Sequence, residues 1–194
     1  MSTPNNRKED ISILKPLINT HFPKNIFELY ENIHFLDVKI SKAIYDFSVH
    51  YKLIYYISKA IEFASDTFAM PVFFLIYGLA KTPSPIAYIC YVVFFMLFTE
   101  FFVKRIFHRK RPVWTVKIGF AFPSSHSLIA ALLFTTVLLM PLPYKPVLMV
   151  MLALIPPNRI MLGHHYIADV LMGILAGAFF GLLWVIFGSM LGLP

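Results

Sequence analysis

Three short polar clusters interrupt a chain that is otherwise mostly hydrocarbon. They are Lys104 to Arg111-Pro112, Pro123-Ser124-Ser125-His126, and Asn158-Arg159 to His165 and Asp169. Each borders a long apolar run. Ionisable groups in or beside a bilayer are costly, which makes them functional candidates by default. Lys104, Arg111 and Arg159, with His126, His165 and Asp169, have the side chains needed to grip a phosphate and attack it.

His165 and Asp169 are four residues apart, a spacing that puts two side chains on one helical face. A carboxylate held against one ring nitrogen fixes the tautomer and frees the other to attack. That is the orienting logic of a triad with histidine as the nucleophile; a helix-end ion pair gives the same spacing. Ser124 and Ser125 sit at a helix start, where free N–H groups and the helix dipole favour an anion. His126 is placed there to give a proton to a leaving oxygen, although a plain N-cap would read alike. Lys104, Arg111 and Arg159 could surround phosphoryl oxygens and stabilise charge in the transition state. Snorkelling at helix ends accounts for Arg105, Arg109, Lys110 and Lys117. His164 reads as a bystander and Glu100 as the partner of Lys104.

No metal or cofactor is expected. After Asp66 the only carboxylates are Glu100 and Asp169, too few for a magnesium site. Zinc on His126, His164, His165 and Asp169 is conceivable, but there is no His-Glu-x-x-His.

The elements that must position these groups follow from composition. Of 194 residues, 58% are hydrophobic and only 14% are charged, against about 25% charged in soluble domains. The net charge of +7 fringes apolar runs, so lipid headgroups and phosphate are expected partners and nucleic acid is not. The N-terminus, with Arg7, Lys8, Glu9 and Asp10, lacks the apolar core of a cleavable signal. The lone Cys90 reads as a packed side chain.

Residues 1–60 form a tail and an interfacial helix. In that helix Ile33, Leu36, Ile40, Ile44 and Phe47 follow helical spacing, with Lys39, Lys42 and Asp46 between them. Residues 61–194 form the transmembrane domain. Spans are expected over about 61–80, 85–103, 125–140, 146–155 (extending towards 162) and 165–193. The fold class is thus an all-α polytopic bundle of five or six spans. Gly173, Gly177 and Gly181 continue the four-residue register of His165 and Asp169, a small-residue stripe against which another helix packs. Because antiparallel spans alternate direction, the end of one polar-flanked span and the start of the next share a membrane face. Connectivity alone therefore brings the clusters together.

Read together, Lys104-x6-Arg111-Pro112, Pro123-Ser124-Ser125-His126 and Arg159-x5-His165-x3-Asp169 resemble the three-part signature of the type-2 phosphatidic acid phosphatase superfamily. The resemblance covers residues 104–169. It departs at Ser125, where the family usually has Gly, and at Asn158, where it usually has Ser. It implies a metal-independent phosphatase with a phosphohistidine intermediate. His165 would be the nucleophile and Asp169 its orienter. His126 would protonate the leaving group and then assist water. Lys104, Arg111, Arg159, Ser124 and the Ser125 backbone would bind phosphate. The short chain is similar to small bacterial members of the inner membrane. These act on polyprenyl diphosphates such as undecaprenyl diphosphate, or on phosphatidylglycerophosphate or phosphatidic acid; a lipid A phosphate is the alternative.

Two signals bear on sidedness. If the first sixty residues do not cross, every Lys and Arg except Lys81 and Lys145 lies on the catalytic side, which the positive-inside rule places in the cytoplasm. The resemblance implies an external site, and that reading is favoured. Two competing functions remain. A vanadate-dependent haloperoxidase shares this kind of pocket, but the membrane spans and lack of a large soluble scaffold argue against it. A non-catalytic anion or lipid transporter needs the cations but not an oriented nucleophile. Trp114, Phe120 and Phe122 shape either a lipid path or an interfacial aromatic belt.

Overall fold

The computed structural model describes residues 26–66, 73, 85–142 and 144–190. Six helices order them: α1 Ile26–His50, α2 Lys52–Ala64, α3 Pro85–Phe107, α4 Ser125–Leu139, α5 Lys145–Met161 and α6 Ile167–Met190. Among the described residues the only β feature is a single bridge between Lys110 and Phe120, so the fold is all-α. By its contacts the chain divides after Leu36, and Asp37 onward forms one unit. The expected tail (1–25) and most of the expected span 61–80 lie outside the described residues.

The Pro85–Phe98 part of α3 and the part of α6 after Asp169 are apolar all round, as membrane spans are. Only 17% of the apolar window of α3 and 22% of that of α6 are buried by protein. Ile86, Phe94, Phe101, Leu175 and Phe179 face outward, the arrangement of an integral membrane protein rather than a soluble core. Among the described residues these two are the helices long and apolar enough to cross, with Ser125–Leu139 a shorter apolar helix.

Helix α4 is the axis. It packs on α3, α5 and α6, and its Leu128, Leu132, Leu133 and Val137 are buried with Val92 of α3 and Leu148 and Leu152 of α5. Two buried hydroxyls tie the bundle: Tyr88 Oη donates to Thr136 Oγ1 at 2.9 Å, and Tyr91 Oη to the Phe180 carbonyl at 2.8 Å. The glycine stripe of α6 lies against the α4 backbone. A Cβ on Gly173 would come to 2.5 Å from the Ser124 carbonyl, one on Gly181 to 2.7 Å from that of Leu132, and one on Gly177 would collide with that of Leu128.

Two local features aim the site. Within α3, Thr99–Val103 is a π-helical turn; such turns recur at functional sites. Helix α5 runs through Pro156 and Pro157 to Met161, the longer of the two expected extents. Neighbouring helices can re-satisfy the backbone groups that proline frees.

Helix α1 meets the rest of the protein through one of its two stripes. Its buried residues from Asp37 onward are polar: Asp37, Ser41 and Ser48. Ile40 and Phe47 stay about half-exposed, at 49% and 51%. The polar stripe, not the apolar one, faces the protein. The reason lies in its partners: Ser48 Oγ donates to the Met161 carbonyl, and Asp37 and Ser41 meet backbone N–H groups of α6.

Gly177→Ala is expected to destabilise the bundle by about 1–3 kcal/mol, because a methyl group has no room against the Leu128 carbonyl. A thermal midpoint in detergent, compared with wild type, measures it.

Candidate active site

The three clusters meet through backbone contacts as well as side chains. The Arg159 carbonyl accepts the N–H groups of His164 and His165 at 3.0 and 3.3 Å. The Asp169 carbonyl accepts Ser124 N–H at 2.9 Å, and the Arg109 carbonyl accepts Ala121 N–H at 2.8 Å. Gly163, at φ +68°, turns the chain between Arg159 and His165, and Trp114 and Tyr45 fill the space where a side chain would go.

His165 is buried, with its ring between a carboxylate and a guanidinium. Nδ1 lies 3.6 Å from Asp169 Oδ2, and Nε2 lies 3.2 Å from Arg111 Nη1. Arginine can only donate, so Nε2 is the accepting nitrogen and the ring proton belongs on Nδ1. Burial pushes the His165 pKa down to about 4, against the opposing pull of Asp169. The ring is therefore neutral at neutral pH, with a lone pair on the Arg111 side.

The shared helical face expected for His165 and Asp169 takes a different form. Helix α6 begins at Ile167, so His165 sits in the preceding turn and Asp169 in the first helical turn. At 3.6 Å their contact is electrostatic rather than a hydrogen bond.

Asp169 is fully buried and finds its hydrogen bonds elsewhere. It accepts Tyr166 N–H at 3.0 Å and Arg109 Nη1 at 2.6 Å. Arg109 Nη2 reaches Asp37 Oδ2 at 2.5 Å, and the guanidinium lies 4.6 Å from the Tyr166 ring centre. Burial opposes the charge on Arg109, but Asp37 and Asp169 outweigh it and raise its pKa. Asp37 Oδ1 also accepts Ala168 N–H at 3.0 Å, and Ser41 Oγ accepts Ile167 N–H at 2.9 Å. Helix α6 is thus capped by side chains of another helix, which satisfies donors that its own first turn leaves free.

At the second cluster Ser124 is the N-cap of α4, its Oγ accepting from the Ser127 backbone N–H and, at 2.9 Å, from Ser127 Oγ. Ser125 Oγ donates to Glu100 Oε1, which also takes buried Lys104 at 2.6 Å. His126 is 46% exposed in its side chain, with Nε2 3.3 Å from Asp66 Oδ1.

Arg159 is 1% exposed. It donates to Asp66 at 2.6 Å and Ser65 at 3.0 Å, with Glu62 at 3.5 Å. Glu62 also meets Lys117 at 2.8 Å, Lys59 at 3.0 Å and His164 Nε2 at 2.7 Å. His164 is buried, which pushes its pKa down to about 4. Among the described residues, the Nε atoms of Arg111 and Arg159 and both amide atoms of Asn158 are buried with no hydrogen-bond partner.

The structure thus gathers Lys104, Arg111, Ser124, Ser125, His126, Arg159, His165 and Asp169 into one contact network. It adds five groups that the sequence reading had not placed there. Arg109 and Lys117, expected to snorkel at helix ends, are ion-paired within the network. Glu62, Asp66 and Asp37 arrive from α1 and from α2 and the turn that ends it. The available signal was polar pairs spaced by four, Asp37–Ser41 and Glu62–Asp66, in segments that are otherwise largely apolar.

A membrane-embedded helical bundle with this polar centre defines a class, and the comparisons identify it. The PAP2 superfamily profile matches residues 85–192, more than half of the chain. The fold is similar to a crystal structure of a transmembrane PAP2-type phosphatidylglycerolphosphate phosphatase from Bacillus subtilis. The TM-score is 0.64 at 22% identity, covering 82% of this chain and 87% of that one. No curated protein matches the sequence. The chain belongs to the PAP2 superfamily. It is a phosphatase, a hydrolase of phosphoric esters.

Two outcomes follow. Arg109→Ala leaves the buried carboxylates Asp37 and Asp169 uncompensated, and a loss of about 3–5 kcal/mol is expected in detergent unfolding. His164 has a depressed folded pKa, so its stabilising contribution is present above its ordinary value of 6.5 and is lost as pH falls towards about 4. His164→Asn is expected to make the fall in thermal midpoint across that window shallower than in wild type.

Proposed function

We propose that this enzyme hydrolyses the phosphate ester of a membrane lipid at His165, through a phosphohistidine intermediate and without a metal ion. The observation that carries the reading is the His165 ring, with its Nδ1 side on Asp169 and its Nε2 lone pair facing Arg111. Nε2 attacks phosphorus, the P–N bond forms and the P–O bond to the lipid alcohol breaks. His126 gives its proton to the departing oxygen. Water then attacks phosphorus, His126 takes its proton, and the P–N bond breaks to release inorganic phosphate.

Lys104, Arg111, Arg159, and Ser124 and Ser125 at the start of α4 hold the phosphoryl group. The unpartnered Nε atoms of Arg111 and Arg159 supply donors for its oxygens, and buried Asn158 supplies a further amide. A lipid is favoured by an apolar cleft of about 170 Å³ between α3, α4 and α5. Met96, Ile129, Leu133, Leu152 and Ile155 line it, and Asp66 and His126 stand at its polar edge. An alkyl chain in that cleft leaves its ester oxygen beside the proton donor.

The substrate we favour is a phospholipid monophosphate. Phosphatidylglycerophosphate is the first choice, because the structurally similar enzyme is named for it. Undecaprenyl diphosphate, phosphatidic acid and a lipid A phosphate complete the panel. The domain of residues 61–194 crosses the inner membrane about five times, with the site on the external face and residues 1–60 at the interface.

Phosphate release from that panel, with excess chelator, tests the reading on detergent-purified wild type and His165→Ala. Expected are chelator-resistant turnover of one lipid and a loss of about a thousandfold or more in the variant. Turnover indifferent to the substitution would refute the nucleophile. Lipid binding without turnover in wild type would favour a transporter.

A further inference from the structure

His126 has its own carboxylate, in addition to the one beside His165. Asp66 Oδ1 is a hub: it lies 3.3 Å from His126 Nε2, 2.6 Å from Arg159 Nη2 and 3.2 Å from Ser65 Oγ. Neither partner is sealed away, since the side chains of Asp66 and His126 are 38% and 46% exposed. Both stand at the edge of the apolar cleft. The site therefore holds two histidine–carboxylate pairs of different character. Asp169 is fully buried behind His165, whereas Asp66 is open beside His126 and joins it to the guanidinium of Arg159.

We infer that Asp66 is the positioning residue of the acid–base histidine. It holds His126 Nε2, so that Nδ1 points to the leaving oxygen in the first step and to water in the second. Oriented this way, Nδ1–H gives its proton to the ester oxygen as the P–O bond breaks, and Nδ1 recovers a proton from water as the P–N bond breaks. A carboxylate on the far nitrogen fixes which nitrogen faces the reaction and stabilises the protonated ring that exists before the first step and after the second. Its second contact gives it reach: the Arg159 group that grips the phosphate and the ring that protonates the leaving group share one oxygen of one side chain. Phosphate position and proton donor are thereby set relative to each other. The inference rests on the acid–base role of His126 proposed above.

Leaving-group dependence separates this role from a structural one. A lipid alkoxide needs its proton as it departs, whereas p-nitrophenolate departs without one. The kcat/KM, which reports only steps up to phosphoryl transfer, is measured for phosphatidic acid and for p-nitrophenyl phosphate on wild type, Asp66→Asn, His126→Asn and the double variant.

If Asp66 positions His126, Asp66→Asn lowers kcat/KM for phosphatidic acid at least about tenfold more than for p-nitrophenyl phosphate. His126→Asn shows the same preference, and the double variant is no worse than His126→Asn alone. If Asp66 only braces Arg159 or the fold, both substrates fall by the same factor, and the inference is overturned. Partial unfolding does not blur the answer, because the same preparation is measured with both substrates and their ratio cancels the inactive fraction. If His126→Asn itself shows no leaving-group preference, the acid role falls and this inference falls with it. If His126→Asn shows the preference and Asp66→Asn does not, only the role of Asp66 is lost.

Discussion

A carboxylate with no access to water must be compensated, and much of the polar architecture here follows from that requirement at Asp169. A buried, unpaired charge is among the costliest features a fold can carry. Asp169 is compensated by Arg109, which Asp37 holds in turn, and Asp37 lies on a helix far away in sequence. The chain Asp37–Arg109–Asp169 alternates in sign and ends beside the His165 ring. Because Arg109 and Tyr166 N–H take the hydrogen bonds of Asp169, its influence on His165 acts through field rather than through a shared proton. The ring is left neutral and aimed by its surroundings: the Arg159 carbonyl behind its backbone, Asp169 at one edge and Arg111 at the other.

The second organising element is the contact between α4 and α6. A serine-capped helix start can serve a site only if it lies close to the nucleophile. The Asp169 carbonyl and Gly173 bring Ser124 there, one by a hydrogen bond and the other by leaving room. Packing and chemistry are therefore not separable along α6, since one helical register carries both Asp169 and the glycines.

The meeting of the clusters was legible because each borders a long apolar run and helix connectivity needs no side-chain detail. The glycine stripe was legible because its four-residue repeat has one physical use in an apolar helix. The ends of α3, α4 and α6 were legible to within a few residues, whereas the boundary expected at residues 60 and 61 falls inside α2. The second layer was not legible. Asp37, Glu62 and Asp66 find partners roughly 55 to 130 residues away, and no local spacing encodes that. Arg109 and Lys117 looked like many other cations at a membrane surface, and only their neighbours separate them from Arg105. The inward polar stripe of α1 was not legible either, because the α5 and α6 backbone groups that Asp37, Ser41 and Ser48 meet lie more than 100 residues away.

The π-helical turn at Thr99–Val103 has a consequence for how this protein can change. An extra residue in one turn alters the phase of everything beyond it by about 100°. The apolar length Pro85–Phe98, tied to α4 and α6 by Tyr88 and Tyr91, and the terminal segment carrying Lys104 therefore differ in phase. The turn sets the bearing of the Lys104 ammonium group on Glu100. Gain or loss of a single residue inside that turn would act as a rotation of the lysine rather than as a shortening of the helix. Length variation between relatives should therefore concentrate before Thr99 and be excluded from the five residues that set the angle.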